Sequence, residues 1–472
     1  MTATGRHRRI DRLPPGEVHA VGPAGLETAS LVRYLVENGR EDIVLHDTSS
    51  GLDAAFLAAH RLQPDEDRHR ARAALGRCRE LRSGADYLAG IESATTILAP
   101  VSWFLHAANA PLEPLRDRFL SYADACIDLW PGRVIGVTGS YGKTTTTRFV
   151  ATLTDGPFCG NDREALFDLA HLARQPGGRC LAFEASNRHL ANRFDHMLDV
   201  GVLTGIALNH EPDHGSFEAY RRTKYSLATK CRTFLYHQAI PAAFPDAGDV
   251  ARRGSPYGER GAWRLVADAL QCPDGVRCPL PGAARLSPLD RDNATAAAAA
   301  ALICGEPVDA VGRRSLALAG ATPRYRQEAR DVAGRQVVND AASCMPACTA
   351  ALVEALDQPF VLICGGDRQR YRPGEFDQLA AAVHANPHAA LVCATGPMAG
   401  NIAGSLRTTG FDAIVHATDL DAAVERALDV AGAAVVFSPG CGTGSQFTDK
   451  YARGEAFDDA VSKLVSNGQA VT

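Results

Sequence analysis

The sharpest chemistry in the sequence lies in seven consecutive residues, Gly139-Ser140-Tyr141-Gly142-Lys143-Thr144-Thr145, which follow the apolar run RVIGVT and open a helical stretch. A glycine loop between a strand and a helix lets main-chain N–H groups and the helix N-terminus close around a polyphosphate. Lys143 would neutralise the β- and γ-phosphates, and the Thr144 hydroxyl would complete a magnesium shell. Only five of the 49 basic residues are lysines, at 143, 224, 230, 450 and 463, so a lysine in such a loop carries information. The competing reading is a glycine turn with an incidental lysine. The general phosphate-loop spacing is not fully met, because position 137 is valine and the preceding glycine sits at 136.

These residues need a frame that points them at one place. Beta-branched runs at 133–138, 180–184 and 202–208 read as strands, the second ending at Glu184. A helix is expected over 217–230, carrying Lys224, and an alanine-rich helix over 293–304. Upstream, a strand at 18–22, a Gly22-x-x-Gly25 turn, a helix and a strand ending at Asp47 form a nucleotide-binding-like half of a parallel sheet. Gly22 and Asp47 are its candidate substrate contacts, and an Arg-rich helix is expected over 66–83. After a linker at 320–323, strands at 336–340, 360–364, 390–394 and 434–438 alternate with helices. The fold class is α/β, with an N-terminal substrate domain over 1–131, a central ATP-binding domain over 132–320 and a C-terminal domain over 321–472.

The loop TGSYGKTTT resembles that of the Mur ligase family, closest to its MurD branch, in which TG-S/T-N-GK-S/T-T is usual. The resemblance runs strongly over 134–340 and 438–457 and weakly before 131. It implies a Rossmann-like N-terminal domain, a central P-loop ATPase-like domain and a Rossmann-like C-terminal domain. It also implies ATP-dependent amide-bond formation between an amino acid and a carboxylate through an acyl phosphate, with UDP-MurNAc-L-alanine and glutamate as the family default. ATP and two Mg2+ ions are the implied cofactors. Carried over residue by residue, Gly139, Ser140, Gly142, Lys143, Thr144 and Thr145 hold ATP, and Glu184 holds magnesium beside Thr144. The segment 208–214 resembles LN-x-x-x-DH, making His214 a ligand or orienter of a second magnesium, unless it aligns with another family histidine. Lys224 resembles the lysine that is carbamylated. Asn293 would read adenine, Arg326 follows the interdomain linker, Asp340 would bind ribose, and closing of the C-terminal domain would bring these last two onto the nucleotide. In SPGCGTGSQF, Thr443 and Phe447 would meet the incoming amino acid, whereas Phe457 reads as core.

Departures fall where substrates would bind. The family lysine two residues after the ribose aspartate is Ala342 here, and the lysine after the GGD turn is Gln369, with Arg368 and Arg370 as possible substitutes. The S-P-G turn near residue 100 reads Ala99-Pro100-Val101-Ser102, the HN pair before Asn293 is Leu289-Asp290, and the His214-to-Lys224 interval is about four residues short. A relative repurposed for a natural-product or other non-cell-wall pathway therefore stands beside the cell-wall reading, as does a regulatory P-loop ATPase without ligase activity. A dehydrogenase built on Gly22 to Asp47 lacks the full glycine fingerprint.

Composition narrows the partners. The chain has 472 residues and a net charge of -5, which suits several domains and gives no basic field for nucleic acid or anionic membrane. Small-molecule acids and amino acids are the expected partners, a monomer being plausible. Thirteen cysteines without a CxxC pair suit a reducing compartment, and the start, MTATGRHRRIDRLPP, has no apolar run behind its basic residues, so a cytoplasmic location is expected.

Overall fold

The computed structural model describes residues 9–175, 179–192, 194, 196–207, 214–367 and 372–466. The chain divides into two compact units with the break between Ala321 and Thr322, Ser287–Leu289 grouping with the second.

The first unit holds two parallel sheets. One is built from β1 (Glu17–Val21), β2 (Ile43–Asp47), β3 (Glu80–Ser83), β4 (Ala94–Leu98) and β5 (Phe119–Leu120) in the order β3-β2-β1-β4-β5. The other comprises β6 (Arg133–Thr138), β7 (Phe158–Gly160), β8 (Cys180–Glu184), β9 (Leu198–Leu203), β10 (Cys231–His237) and β11 (Ser255–Tyr257) in the order β11-β10-β9-β6-β8-β7. β2 and β8 are buried at every position, as strands covered on both faces must be. Gly136 lies in the middle of β6, where a Cβ would sit 2.4 Å from Leu198 Cδ1, so this glycine serves strand packing and not the loop. The alanine-rich helix runs over Pro288–Ile303, starting before Asn293, and buries Ala294 and Ala296–Ala301 completely.

Several sequence expectations shift. The helix expected over 66–83 is Asp65–Gly76; Glu80–Ser83 is instead the short edge strand β3, paired with β2 on one side. The strand expected at 202–208 is β9, Leu198–Leu203; the Thr204 N–H still bonds to the Thr138 carbonyl at 2.8 Å, and the chain then passes to the glycine loop, where Ser140 N–H meets the Gly205 carbonyl at 2.7 Å. The helix expected over 217–230 is Phe217–Tyr225 followed by a 3-10 turn, Ser226–Thr229. A small antiparallel sheet of β12 (Arg264–Val266), β13 (Ala269–Gln271) and β14 (Arg277–Pro279) had no clear periodicity in sequence.

In the second unit, β15 (Glu328–Val332), β16 (Arg335–Asn339), β17 (Phe360–Gly365), β18 (Ala389–Thr395), β19 (Ile414–Ala417) and β20 (Ala434–Phe437) form one sheet in the order β15-β16-β20-β17-β18-β19. Only β15 and β16 pair antiparallel. Phe457 is fully buried and stacks on Phe437, as expected of a core residue. None of the thirteen cysteines is in a disulfide. Among the described residues no helix is long and apolar enough to cross a membrane.

Candidate functional site

The glycine loop leaves β6 at Thr138 and enters the helix Lys143–Thr154 at Gly142, which has φ 80°. That left-handed conformation, and a Cβ that would lie 2.6 Å from Asn293 Oδ1, require glycine here. The loop is braced from β9 outward: Ser140 N–H donates to the Gly205 carbonyl at 2.7 Å, and the Thr204 hydroxyl donates to the carbonyls of Tyr141 and, at 3.1 Å, Thr138. Ser140 Oγ donates to the Ala207 carbonyl and also lies 3.0 Å from the Tyr220 hydroxyl. Lys143 Nζ donates to the Ser140 carbonyl at 3.0 Å, holding the amine over the loop. Thr144 and Thr145 are buried in the first turn. Asn293 supports the loop from below, accepting from the Thr146 hydroxyl at 3.1 Å and donating to Asp290 at 3.1 Å.

Sheet register brings the next residues alongside. Val137 pairs with Glu184 and Thr138 with Leu203, so the ends of β6, β8 and β9 share one rim. Glu184 is 1% exposed; its Oε1 accepts from Asn161 Nδ2 at 3.1 Å, and its Oε2 is buried without a protein partner. Lys224 is also 1% exposed and donates to Thr138 Oγ1 at 3.1 Å. Burial, and then the neighbouring Lys143 cation, push the Lys224 amine well below its ordinary pKa, with Glu184 acting in the opposite direction. Tyr220, one helical turn before Lys224, contacts both Lys224 and His214: the amine is 5.5 Å from its ring centre and the imidazole packs edge-on at 5.5 Å. His214 Nε2 lies 2.9 Å from Asn187 Nδ2. The rest of the expected LN-x-x-x-DH segment, 208–213, lies outside the described residues, as do Arg368, Gln369 and Arg370.

The donor set suits one hard divalent cation. A buried carboxylate oxygen without a partner, next to a loop built for phosphate, matches magnesium's habit of taking one or two carboxylates together with phosphate oxygens and water. Among the described residues no group of three or more His, Cys, Asp or Glu could hold a metal alone. A second ion would need an anionic donor at Lys224, which the unmodified amine does not supply.

In the first sheet, Gly22 follows β1 and Asp47 ends the neighbouring β2, and Asp47 Oδ1 accepts from Ser49 N–H at 2.9 Å. Glu27, which sequence reasoning did not single out, is in the first turn of the helix Leu26–Glu37 and accepts the Val101 N–H at 2.8 Å. Burial pushes its carboxyl up to about 7, against the pull of Val101 and Arg188. His189, fully buried and lowered to about 3 chiefly by that burial, points Nε2 at Glu27 Oε1 from 3.9 Å.

In the second unit, Asp340 is buried and held up at about 6 by desolvation, although Ser343, Ser438, Arg326 and the Gln327 N–H all favour its charged form. Arg326 and Asp340 therefore share one neighbourhood. Thr443 and Phe447 line a cavity of about 290 Å3 at the ends of β17, β18 and β20, together with Thr395, Asp419, Asp421 and Arg453. A cavity of about 690 Å3 in the first unit lies at the far end of the loop helix, near Thr152 and Arg314, away from the glycine loop. Sequence reasoning missed Thr138, Asn161, Thr204 and Tyr220; the one signal available was Tyr220, four residues before Lys224 on a helix.

No protein-family profile matches the chain. Among curated proteins it is 29% identical over 373 residues to the UDP-N-acetylmuramoylalanine--D-glutamate ligase of Sphingopyxis alaskensis, covering 76% of this chain and 80% of that protein. It is 26% identical over 470 residues to the enzyme of the same name from Symbiobacterium thermophilum, covering 94% and 98%. Among solved structures it superposes on the UDP-N-acetylmuramate-alanine ligase MurC of Thermotoga maritima with a TM-score of 0.58 at 14% identity, covering 96% of this chain and 100% of that one. The MurF ligase of the same organism, in complex with ADP, gives a TM-score of 0.55 at 19% identity, covering 80% and 90%. The chain has the Mur ligase fold and is, by sequence, a homologue of the MurD ligases.

Proposed function

We propose that the chain is an ATP-dependent ligase that joins the amine of an amino acid to a carboxylic acid. A carboxylate is anionic and has no leaving group, so an amine does not displace it unaided. One acid oxygen attacks the γ-phosphorus of ATP and ADP departs. The deprotonated amine then attacks the carbonyl carbon of the acyl phosphate, and inorganic phosphate leaves with the acid's oxygen. No covalent enzyme nucleophile is required.

The observation that carries this reading is the buried amine of Lys224, held beside Lys143 and Glu184 at the rim where the glycine loop begins. The loop N–H groups and Lys143 would hold the polyphosphate and stabilise charge passing onto the transferring group, which is chiefly positioning and electrostatics. Glu184 Oε2 and the Thr144 hydroxyl are the groups we assign to magnesium, which would neutralise phosphate charge when bound. A lysine kept neutral by its surroundings is the form that takes up carbon dioxide, losing a proton to become an anionic carbamate; we assign that modification to Lys224, with His214 oriented nearby through Tyr220. Asn293, which accepts from the Thr146 hydroxyl beside Gly142, is the residue we assign to the adenine. Arg326 and Asp340 are the nucleotide contacts assigned to the second unit, and Thr443 and Phe447 the amino-acid contacts.

The curated relatives are named for UDP-N-acetylmuramoylalanine and D-glutamate. Here position 342 carries a buried alanine in place of a cation, which leaves D-glutamate without that partner and favours a relative adapted to other substrates. Phosphate release from ATP, measured with amino acids in the presence and absence of UDP-MurNAc-L-alanine and of other carboxylic acids, tests the proposal. Release that needs both an acid and an amine, and that disappears in Lys143→Ala, is expected. Release indifferent to both would make the chain an ATPase and not a ligase.

A further inference from the structure

The first sheet has the strand order β3-β2-β1-β4-β5, so β1 and β4 lie side by side where the chain's winding reverses direction. In open parallel sheets that crevice, at the carboxyl ends of the two strands, is where ligands settle, and a phosphate takes the helix N-terminus and free N–H groups there. In this chain the crevice is built from Gly22 after β1, the turn Ala99-Pro100-Val101 after β4, and the first turn of the helix Leu26–Glu37.

A protein group already fills the place of an anion. Glu27 lies in that first helical turn, where the helix dipole favours negative charge, and its Oε2 takes the Val101 N–H at 2.8 Å. The other side of the same peptide is tied down too: Asn192 Nδ2 donates to the Val101 carbonyl at 2.6 Å, and Asn192 Oδ1 accepts from Trp103 Nε1 at 3.2 Å. The turn is therefore not free to swing away. The Glu27 side chain is only 18% exposed, and 3.9 Å from its Oε1 is the Nε2 of His189, fully buried and without a hydrogen-bond partner. His189 stands five residues after Glu184, on the short helix Asn187–Ala191 that leaves β8. Glu27 thus lies against the helix that leaves β8, and an acidic side chain stands at the crevice's anion position.

We infer that Glu27 is a specificity-determining residue that excludes nucleoside diphosphates from this crevice, so that the acid activated at the central rim is presented on a carrier that is uncharged or cationic at this point. The inference rests on the ligase reading and names its acceptor class. A diphosphate would have to displace Glu27 from the Val101 N–H and sit against its carboxylate, where like charges repel across a partly desolvated gap. An uncharged hydroxyl or amide, or an amine, can instead donate to that carboxylate.

The test is a two-stage calorimetric titration at pH 8, where the Glu27 carboxyl carries its charge. Wild-type, Glu27→Gly and Glu27→Gln proteins are first saturated with ADP, which blocks the glycine loop, and then titrated with UDP. The expected result is wild-type affinity for UDP weaker than about 1 mM and at least about tenfold tighter binding in Glu27→Gly, with Glu27→Gln between them; tenfold corresponds to about 1.4 kcal/mol. Micromolar UDP binding by the ADP-loaded wild type, or no gain in either variant, would overturn the inference. Should Glu27→Gly not fold, the Glu27→Gln comparison decides alone. The first stage separates the two readings: absence of ADP binding removes the ligase proposal and leaves the UDP comparison readable in its own right.

Discussion

Replacing Lys224 by methionine should separate stability from activity. The wild-type amine is 1% exposed and makes one hydrogen bond, to Thr138 Oγ1, while Lys143 stands close enough to disfavour its protonation. A buried polar group with incomplete hydrogen bonding costs about 1–3 kcal/mol in proteins, whereas the single neutral bond contributes about 1 kcal/mol. Methionine keeps the unbranched shape and removes the amine, so Lys224→Met should gain up to about 2 kcal/mol from the hydrogen-bond balance alone, and more at pH 7, where folding also strips a proton from the wild-type amine. The sign with pH follows from the lowered pKa. The unfolded chain binds the proton that the folded chain lacks, so wild-type stability rises as pH climbs toward the ordinary lysine value, and the methionine variant loses that slope. Urea melts at pH 7 and pH 10 measure both quantities. Ligase turnover should meanwhile fall by at least about a hundredfold, or about 2.7 kcal/mol in the barrier. A variant that is destabilised by several kcal/mol yet turns over normally would refute the reasoning, because it would make Lys224 a structural cation.

Gly142→Ala forces a left-handed alanine, costing about 1–2 kcal/mol, and drives a Cβ to within 2.6 Å of Asn293 Oδ1; ADP affinity should drop at least tenfold, and unchanged affinity would place the nucleotide elsewhere. Arg33 is 2% exposed and donates at 2.9 Å to each of Glu37, Asp67 and Asp168, so Arg33→Ala should lower stability by about 3 kcal/mol in a urea melt by leaving the buried Asp168 with Arg70, at 3.7 Å, as its remaining cation; a loss under 1 kcal/mol would contradict this. Glu27, raised to about 7, adds stability that is complete below the ordinary carboxylate value and lost as pH rises through 7. Glu27→Gln should therefore gain about 2 kcal/mol on wild type between pH 5 and pH 8, and a constant difference would mean that the carboxyl is not perturbed.

Much of this arrangement was legible in the sequence because it is local. The glycine loop, its strand and its helix are contiguous, and the position of Lys143 follows from that continuity alone. The buried strands β8 and β17 were visible as unbroken apolar runs. What escaped depends on register and on long-range packing. Thr204 and Asn161 act only because β9 lies beside the loop strand β6 and β7 lies beside β8, and no local pattern marks them. Glu27 reads as an ordinary acidic residue in a helix's first turn until the reversal between β1 and β4 brings Val101 to it. The Arg-rich stretch at 66–83 misled because the helix ends at Gly76, and Glu80–Ser83 instead pair with β2 at the sheet edge.

The most direct test of the ligase claim is isotopic. For any carboxylic acid that stimulates phosphate release together with an amino acid, the acid is labelled with 18O in its carboxylate and the released inorganic phosphate is weighed by mass spectrometry. One labelled oxygen per phosphate is the expected result, since the acid's own oxygen attacks the γ-phosphorus and leaves with it. Phosphate carrying only solvent and ATP oxygens would contradict an acyl phosphate on this chain.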